Sequence, residues 1–591
     1  MRQAKALVTS TGARTAWLGA VLRVGLMGSA VTLYVSLNGI VPIFHARPLI
    51  SQTISLGQTA LVLTFLGAGY LATRRAPPGA ATTLAAATLG GAMSGVSLSV
   101  LLLVGVVAGI DVRAVFIQAS PVLYDVLTFG LGAVGFWVPV AVGTALGAAV
   151  GAISILPRRF AGPLLWGLTA LLIVGLFSSL LRSPLLGTTP ELARFLFAAE
   201  GLTREGAVIA FLGAVAWRIL WPQAQVGQRV AAMPQARRKA LLVPLGLLAI
   251  LFFAILPQVL GGFVAHVVAF VALYILMGFG LNITLGLAGL LDLGFVAFFA
   301  VGAYTVGLFT SLSELGLLGD VGCFDLVAGF ALCPNHFWFA VPFAVVFAMA
   351  FGAFLGLPIL GIRGDYLAIA TLGFGEIIRI LAGSNLLLPW LGGPQGVINI
   401  PKPIDVPPGH PLAGAFQIYY IALVFAAIIW FVAIRLRDSR LGRAWVAIRE
   451  DEDVAEALGI SLVQTKLLAY MLGAAFAGLG GAVFAGLIGA VFYTDINLFV
   501  SINVAALIIV GGMGSFPGVV VGAIFLIGLP ELFREFAEYR FLFYGAALIA
   551  MMVYRPAGLF PSRIAERELH VPEAVEPTAS GAALADETGT S

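Results

Sequence analysis

With 591 residues, 60% of them apolar and only 10% charged, the chain has too few charges to cover a soluble surface. Its net charge of +4, from 32 Lys and Arg against 28 Asp and Glu, is met by basic membrane loops and calls for no nucleic-acid partner. Two cysteines are too few for a disulfide scaffold or a Cys-rich metal site.

In chain order, the apolar runs read as an all-α integral membrane protein. The expected fold is a polytopic helix bundle with about sixteen apolar segments, some broken or re-entrant. Six runs fall at 17–44, 54–72, 84–110, 122–156, 164–181 and 207–221. Basic clusters lie before the first run and after the second, fourth and sixth, which places those loops and the N-terminus in the cytoplasm. A polar, basic stretch at 226–239, carrying Pro234, ends this N-terminal extension of about six spans, residues 1–238. About ten runs follow in a second part, 239–561: 241–260, 264–285, 295–312, 337–360, 366–381, 418–434, 467–492, 502–513, 519–533 and 541–553. Several are short and glycine-interrupted, as in helices broken inside a bundle.

Loop 313–336 holds acids and both cysteines but no Lys or Arg, and is expected outside, where Cys323 and Cys333 could be bridged. Loop 385–417, rich in Pro and Gly, is also expected outside, and the densely charged 435–466 inside. Residues 562–591 read as a disordered acidic cytoplasmic tail.

The inner loop carries the clearest pattern. Leu441, Trp445, Ile448, Ala455 and Leu458 fall on one helical stripe. Gly459 suits a left-handed helix end, and Ser461 with Gln464 suits a capping box for the next helix. The stripe reads as a short amphipathic helix docked in the groove of a soluble partner.

A second pattern joins Gly280, Asn282, Gly286, Gly289, Asp292, Gly294, Gly302 and Tyr304. An aspartate at membrane depth costs about 2.5–3.5 kcal/mol, so Asp292 belongs either at a wet helix break lining a solute path or at a short cytoplasmic turn. Further on, Gly373 precedes Glu376 and Arg379, three apart and able to pair. Gly511-Gly512-Met513-Gly514 breaks a late apolar run. No HExxH, CxxC or GxxxxGK[ST] motif occurs, so no catalytic residues, no metal and no ATP hydrolysis by the chain itself are expected.

Taken in order, Gly280-Leu281-Asn282, the run Ala288 through Gly294, Gly302-Ala303-Tyr304, the stretch from Arg363 to Arg379, Gly393-Pro394-Gln395-Gly396, Ile400-Pro401-Lys402-Pro403, Gly442-Arg443-Ala444-Trp445, Arg449-Glu450-Asp451-Glu452, Gly511 through Gly514 and Arg555-Pro556-Ala557-Gly558-Leu559 resemble the LivM-type permease subunit of branched-chain amino acid ABC importers. The resemblance spans roughly 241–561, and Phe295 stands where members often carry His or Tyr.

The resemblance implies a permease that is not an enzyme and binds no cofactor. Its partners would be a sister permease, two cytoplasmic ATPase subunits that bind ATP and Mg, and an extracytoplasmic substrate-binding protein, in a prokaryotic plasma membrane. It further implies a coupling helix made of Gly442, Arg443, Trp445, Ile448, Arg449, Glu450, Glu452, Glu456, Ala457 and Gly459. The expected path residues are Asn282, Gly286, Gly289, Asp292, Gly294, Tyr304, Gly373, Glu376 and Gly512. Related permeases on this scaffold carry urea or short amides. A stand-alone ion-coupled transporter would have only Asp292 and Glu376 to work with.

Overall fold

In lipid a spanning segment finds no water for its backbone, so it closes its hydrogen bonds within a helix. The computed structural model describes residues 2–107, 112–114, 116, 121–128, 131–220, 253, 255–312, 324–327, 330–332, 337–359, 361, 365–404, 414–532, 545, 548–549 and 558–560. Among these, ten helices are long and apolar enough to cross a membrane. The count is eleven if Tyr366–Ala382 and Asn385–Leu391, bent by 59°, form one span. The protein is an all-α, multi-pass membrane protein. The only strands among the described residues form two short hairpins, Pro48–Ile50 with Ile54–Ser55 and Phe324–Val327 with Phe330–Leu332.

Among the described residues ten spans stand against the expected sixteen or so apolar segments, and an apolar run records exclusion from water rather than a crossing. Run 122–156 breaks into Pro121–Thr128, a 3-10 segment Gly132–Trp137 and Val138–Ile155. Runs 207–221 and 295–312 yield helices of only 17 and 15 residues. Runs 241–260 and 541–553 lie largely outside the described residues, as do the stretch 226–239, both cysteines and the tail 562–591.

The chain divides into two units, Met1–Ile250 and Leu251–Ser591. The longer helices of the first are α1 (Arg2–Leu37), α2 (Leu56–Thr73), α3 (Ala80–Leu102), α4 (Val138–Ile155), α5 (Arg158–Leu176) and α6 (Arg204–Leu220). Ser55 and Gln58 close a capping box on α2: Gln58 N donates to Ser55 Oγ (3.2 Å) and Ser55 N to Gln58 Oε1 (3.0 Å). Gly91 and Gly95 of α3 face Gly143 and Pro139 of α4 so closely that a Cβ on either glycine would meet a backbone carbonyl. The four-residue spacing puts the small residues on one face, and helices in lipid associate by such close approach.

The second unit holds α7 (Gly262–Leu281), α8 (Val296–Thr310), α9 (Phe337–Ile359), α10 (Asp365–Ala382), α11 (Ala415–Asp438), α12 (Arg440–Glu450), α13 (Glu452–Ala457), α14 (Leu462–Ile488), α15 (Leu498–Gly511) and α16 (Phe516–Ala523). Helix α14 is its axis: every residue from Gly473 to Leu487 is buried, against α7, α8 and α9. The contacts again rest on small residues. A Cβ on Gly478 would press on Ala348, and one on Gly481 would strike the carbonyl of Phe299 and come within 2.8 Å of Ala303 N. Replacing Gly481 with valine forces two backbones apart and is expected to cost about 1–3 kcal/mol. Thermal unfolding in detergent should show it as a lowered midpoint, with Gly213→Ala, where a Cβ meets nothing, as the neutral control.

Candidate functional site

Two features of the second unit carry chemistry: the charged connector between α11 and α14, and the broken helices it touches.

The connector begins with a tight reversal. Ser439 caps α12, accepting from Gly442 N (3.3 Å), and a Cβ on Gly442 would collide with the carbonyls of Leu436 and Arg437. Helix α12 stops at Asp451, whose backbone is extended and whose carboxylate accepts from Val454 N (3.0 Å) to start α13. Gly459, at φ 87°, closes α13: Gly459 N donates to Glu456 O (2.9 Å) and Ile460 N to Ala455 O (3.1 Å). The left-handed end expected at Gly459 is present. The Ser461 cap takes another form, its hydroxyl donating to Gln464 Oε1 (3.1 Å) without bonding the backbone.

The expected docking face is corrected. Trp445 is wholly buried and Ile448 nearly so, packed within this chain; Trp445 Nε1 donates to Thr465 O (2.9 Å) at the start of α14. The break at Asp451 ends the single stripe, so Leu458 is 76% exposed. Arg443, Glu450, Asp453, Val454, Glu456, Ala457, Leu458 and Gly459 form the exposed surface, apolar at Val454 and Leu458 and acidic around them.

Two charged side chains complete the fastening. Arg449 Nη1 donates to Gly286 O (2.8 Å), and Lys466 Nζ, 4% exposed, pairs with Glu452 Oε1 at 2.7 Å. Charge-assisted bonds of this kind are the strong ones. The connector is thus bolted to α14 and to the end of α7.

That end of α7 widens into a π turn, Asn282–Leu287. Asn282 is fully buried, and its Oδ1 accepts from Gly514 N (2.9 Å) in the break between α15 and α16. Gly512, at φ 118°, and Gly514, at φ 76°, supply the backbone conformations that break needs. Gly286 packs against Asn282 and Gly514, and Gly289 against the Arg449 side chain. Asn282, Gly286, Gly289 and Gly512 therefore share one junction, directly under the connector.

Asp292 sits beside that junction at a turn, but it is 1% exposed and so not a solvated connector residue. Its Oδ1 accepts from Gly294 N (2.9 Å). Leu293 N donates to Thr371 Oγ1 (3.0 Å), and a Cβ on Gly294 would meet Thr371 O. Asp292 Oδ2 and the Tyr470 hydroxyl are buried without a hydrogen-bond partner among the described residues, and both residues line a cavity of about 10 Å³, room for roughly one water. Gly373 lies two residues beyond Thr371 on α10, where an added Cβ would meet nothing.

Tyr304 and Glu376 stand apart from this group. Tyr304 is buried eight residues into α8, and Glu376 pairs with Arg379, both side chains about a third exposed. Thr371, Tyr470 and Lys466 were missed by sequence reasoning because no local spacing marks them; their partners lie 78 or more residues away for Thr371, and across a helix break for Lys466.

Further along α14, about 20 Å from Tyr470 by helix rise, lies a second cavity of the unit. It measures about 330 Å³ and is walled by Phe270, Phe299 and Phe484, with Asp495 and Asn497 on its lining. Lys402, from Ile400-Pro401-Lys402-Pro403, fastens the end of α14 by donating to Gly486 O (2.9 Å) and Leu487 O (2.8 Å), and burial holds its pKa below the ordinary lysine value.

The family described as the branched-chain amino acid transport system permease component matches residues 263–552. LivM of Escherichia coli, a high-affinity branched-chain amino acid transport system permease protein, is 37% identical over 310 residues, 49% of this chain and 68% of LivM. Salmonella typhimurium LivM gives the same identity and coverage. Escherichia coli LivH is 24% identical over 300 residues, 48% of this chain and 90% of LivH. No solved structure matches the chain. Broken helices around buried polar groups, in a multi-pass bundle, fit a membrane transport permease. The chain belongs to the branched-chain amino acid transport system permease family.

Proposed function

We propose that this chain is a transmembrane subunit of an ATP-driven importer for branched-chain or other apolar amino acids. It would work with a sister permease, two ATPase subunits holding ATP and Mg, and a binding protein that delivers the solute. The reading places the connector and both termini in the cytoplasm of a prokaryotic cell, following the loop charges.

The observation that carries it is the fastening of the connector. Trp445 on Thr465, Arg449 on Gly286 and Glu452 on Lys466 tie it to α14 and to the π turn of α7. Val454 and Leu458 remain outward, where an ATPase groove would meet them. A push on α13 then moves the Asn282–Gly514 junction as a unit, because each tie is a directed bond between packed elements. Opening and closing of the path would follow that junction, whose π turn and glycine break are the least regular backbone in the core.

The test is ATP-dependent uptake of radiolabelled leucine into proteoliposomes holding the chain with its genomic neighbours. Uptake that needs ATP and the binding protein supports the reading. Uptake of urea or a short amide in place of leucine changes the solute, and failure to associate with any ATPase overturns the importer.

A further inference from the structure

The cavity near Asp495 has a chemistry the sequence patterns did not single out. Its walls are aromatic, from Phe270 on α7, Phe299 on α8 and Phe484 on α14. Its polar side chains are Tyr274, Asp495, Asn497 and Asn503. Asp495 uses Oδ2 to accept from Phe492 N (3.0 Å), and no Lys or Arg among the described residues pairs with it. Asn497 spends an amide N–H on Thr494 O (3.2 Å), and its enclosed Oδ1 has no hydrogen-bond partner among the described residues.

The Asp495 carboxylate is an acceptor with no Lys or Arg beside it among the described residues, and a cationic donor is the group that both bonds it and offsets its charge. An ammonium supplies three N–H donors, and aromatic faces around it favour the charge further. The amide of Asn503, also on the lining, can donate to a carboxylate. The volume of about 330 Å³ falls within the range of small-molecule sites.

We propose that this cavity is a solute-binding station that holds an amino acid by its α-ammonium on Asp495, with the apolar side chain against the phenylalanines. The proposal rests on the importer reading for its solute and deepens it. It assigns the permease its own recognition of the zwitterion, separate from that of any binding protein. An alternative role for Asp495, as a cap of the turn Tyr493–Asp495 alone, accounts for Oδ2 but not for a carboxylate on an aromatic cavity lining with no Lys or Arg beside it among the described residues.

The experiment uses the full chain with its sister permease in lipid nanodiscs, without binding protein. Phe499, on the cavity lining and 59% exposed, is replaced in a Cys323→Ser, Cys333→Ser background by Phe499→Cys, and its alkylation by a maleimide is timed. Leucine and isopentylamine, which carry the ammonium, should slow labelling. Isocaproate, which is leucine without it, should not. Asp495→Asn keeps an acceptor for Phe492 N but loses the charge, and should raise the leucine concentration needed for protection about tenfold or more. Equal protection by isocaproate, no protection by leucine, or unchanged protection in Asp495→Asn would overturn the proposal. The analogue series needs no variant at Asp495, so a folding defect there leaves it decisive. Leucine uptake by the complete assembly is read in parallel: protection without uptake sinks the importer reading and keeps the station, and uptake without protection does the reverse.

Discussion

Leu458→Asp is expected to weaken association with the ATPase subunits by about 30-fold, the equivalent of a single interface anchor of about 2 kcal/mol. Leu458 is 76% exposed at the end of α13 with Gly459 behind it, so the substitution changes nothing inside this chain. Co-purification of tagged ATPase with the permease, and uptake in the same proteoliposomes, should fall together while the thermal midpoint of the chain alone stays put. A Trp445→Phe control makes the complementary point. It removes the indole bond to Thr465 and part of a fully buried ring, so it should lower stability by about 1–3 kcal/mol and leave ATPase capture intact. If Trp445→Phe abolished capture and Leu458→Asp did not, the docking face would be the buried stripe after all.

Glu452→Ala is expected to cost about 3 kcal/mol, because it strands the Lys466 ammonium, 4% exposed, with its main counter-charge gone. The loss should appear as a lowered unfolding midpoint of the solubilised protein. It should also raise ATPase activity that is not matched by uptake, since α13 would no longer be tied to α14. Adding Lys466→Met should recover much of the midpoint, as a methionine of similar length needs no partner. It should not recover coupling, because the tie is still absent. That split between stability and coupling distinguishes a mechanical strut from a residue that merely fills space.

Much of the fold was legible because its causes are local. Membrane burial follows from composition, and α7, α9, α11 and α14 coincide closely with apolar runs. The glycine at 459 and the break at Gly512 were readable because a left-handed φ is a demand on one residue. The connector was legible as amphipathic and charged, and its ordered motifs pointed to the permease family before any tertiary contact was known.

The site was legible only in part. Asn282, Gly286 and Asp292 stood out as polar or flexible residues in an apolar run; Asn282 and Gly286 share the junction with Gly514, and Asp292 is buried at its own turn on Gly294 N. Tyr304 and Glu376 stood out for the same reason and lie elsewhere, because residue type does not record which face of a helix points inward. Asp495 and Asn497 were passed over between two apolar runs, where a turn is an ordinary place for such residues.

The sequence by itself determined that this protein lives in lipid, that it is helical, and that its second part carries permease motifs. These are properties of short windows, set by transfer of apolar side chains and by backbone preference. Only the tertiary structure decided which side of the connector is free. Asp451 breaks the helix, Trp445 turns inward onto a carbonyl twenty residues on, and Arg449 reaches a carbonyl 163 residues away. Pairings over such distances depend on how whole helices pack, and no local pattern encodes them.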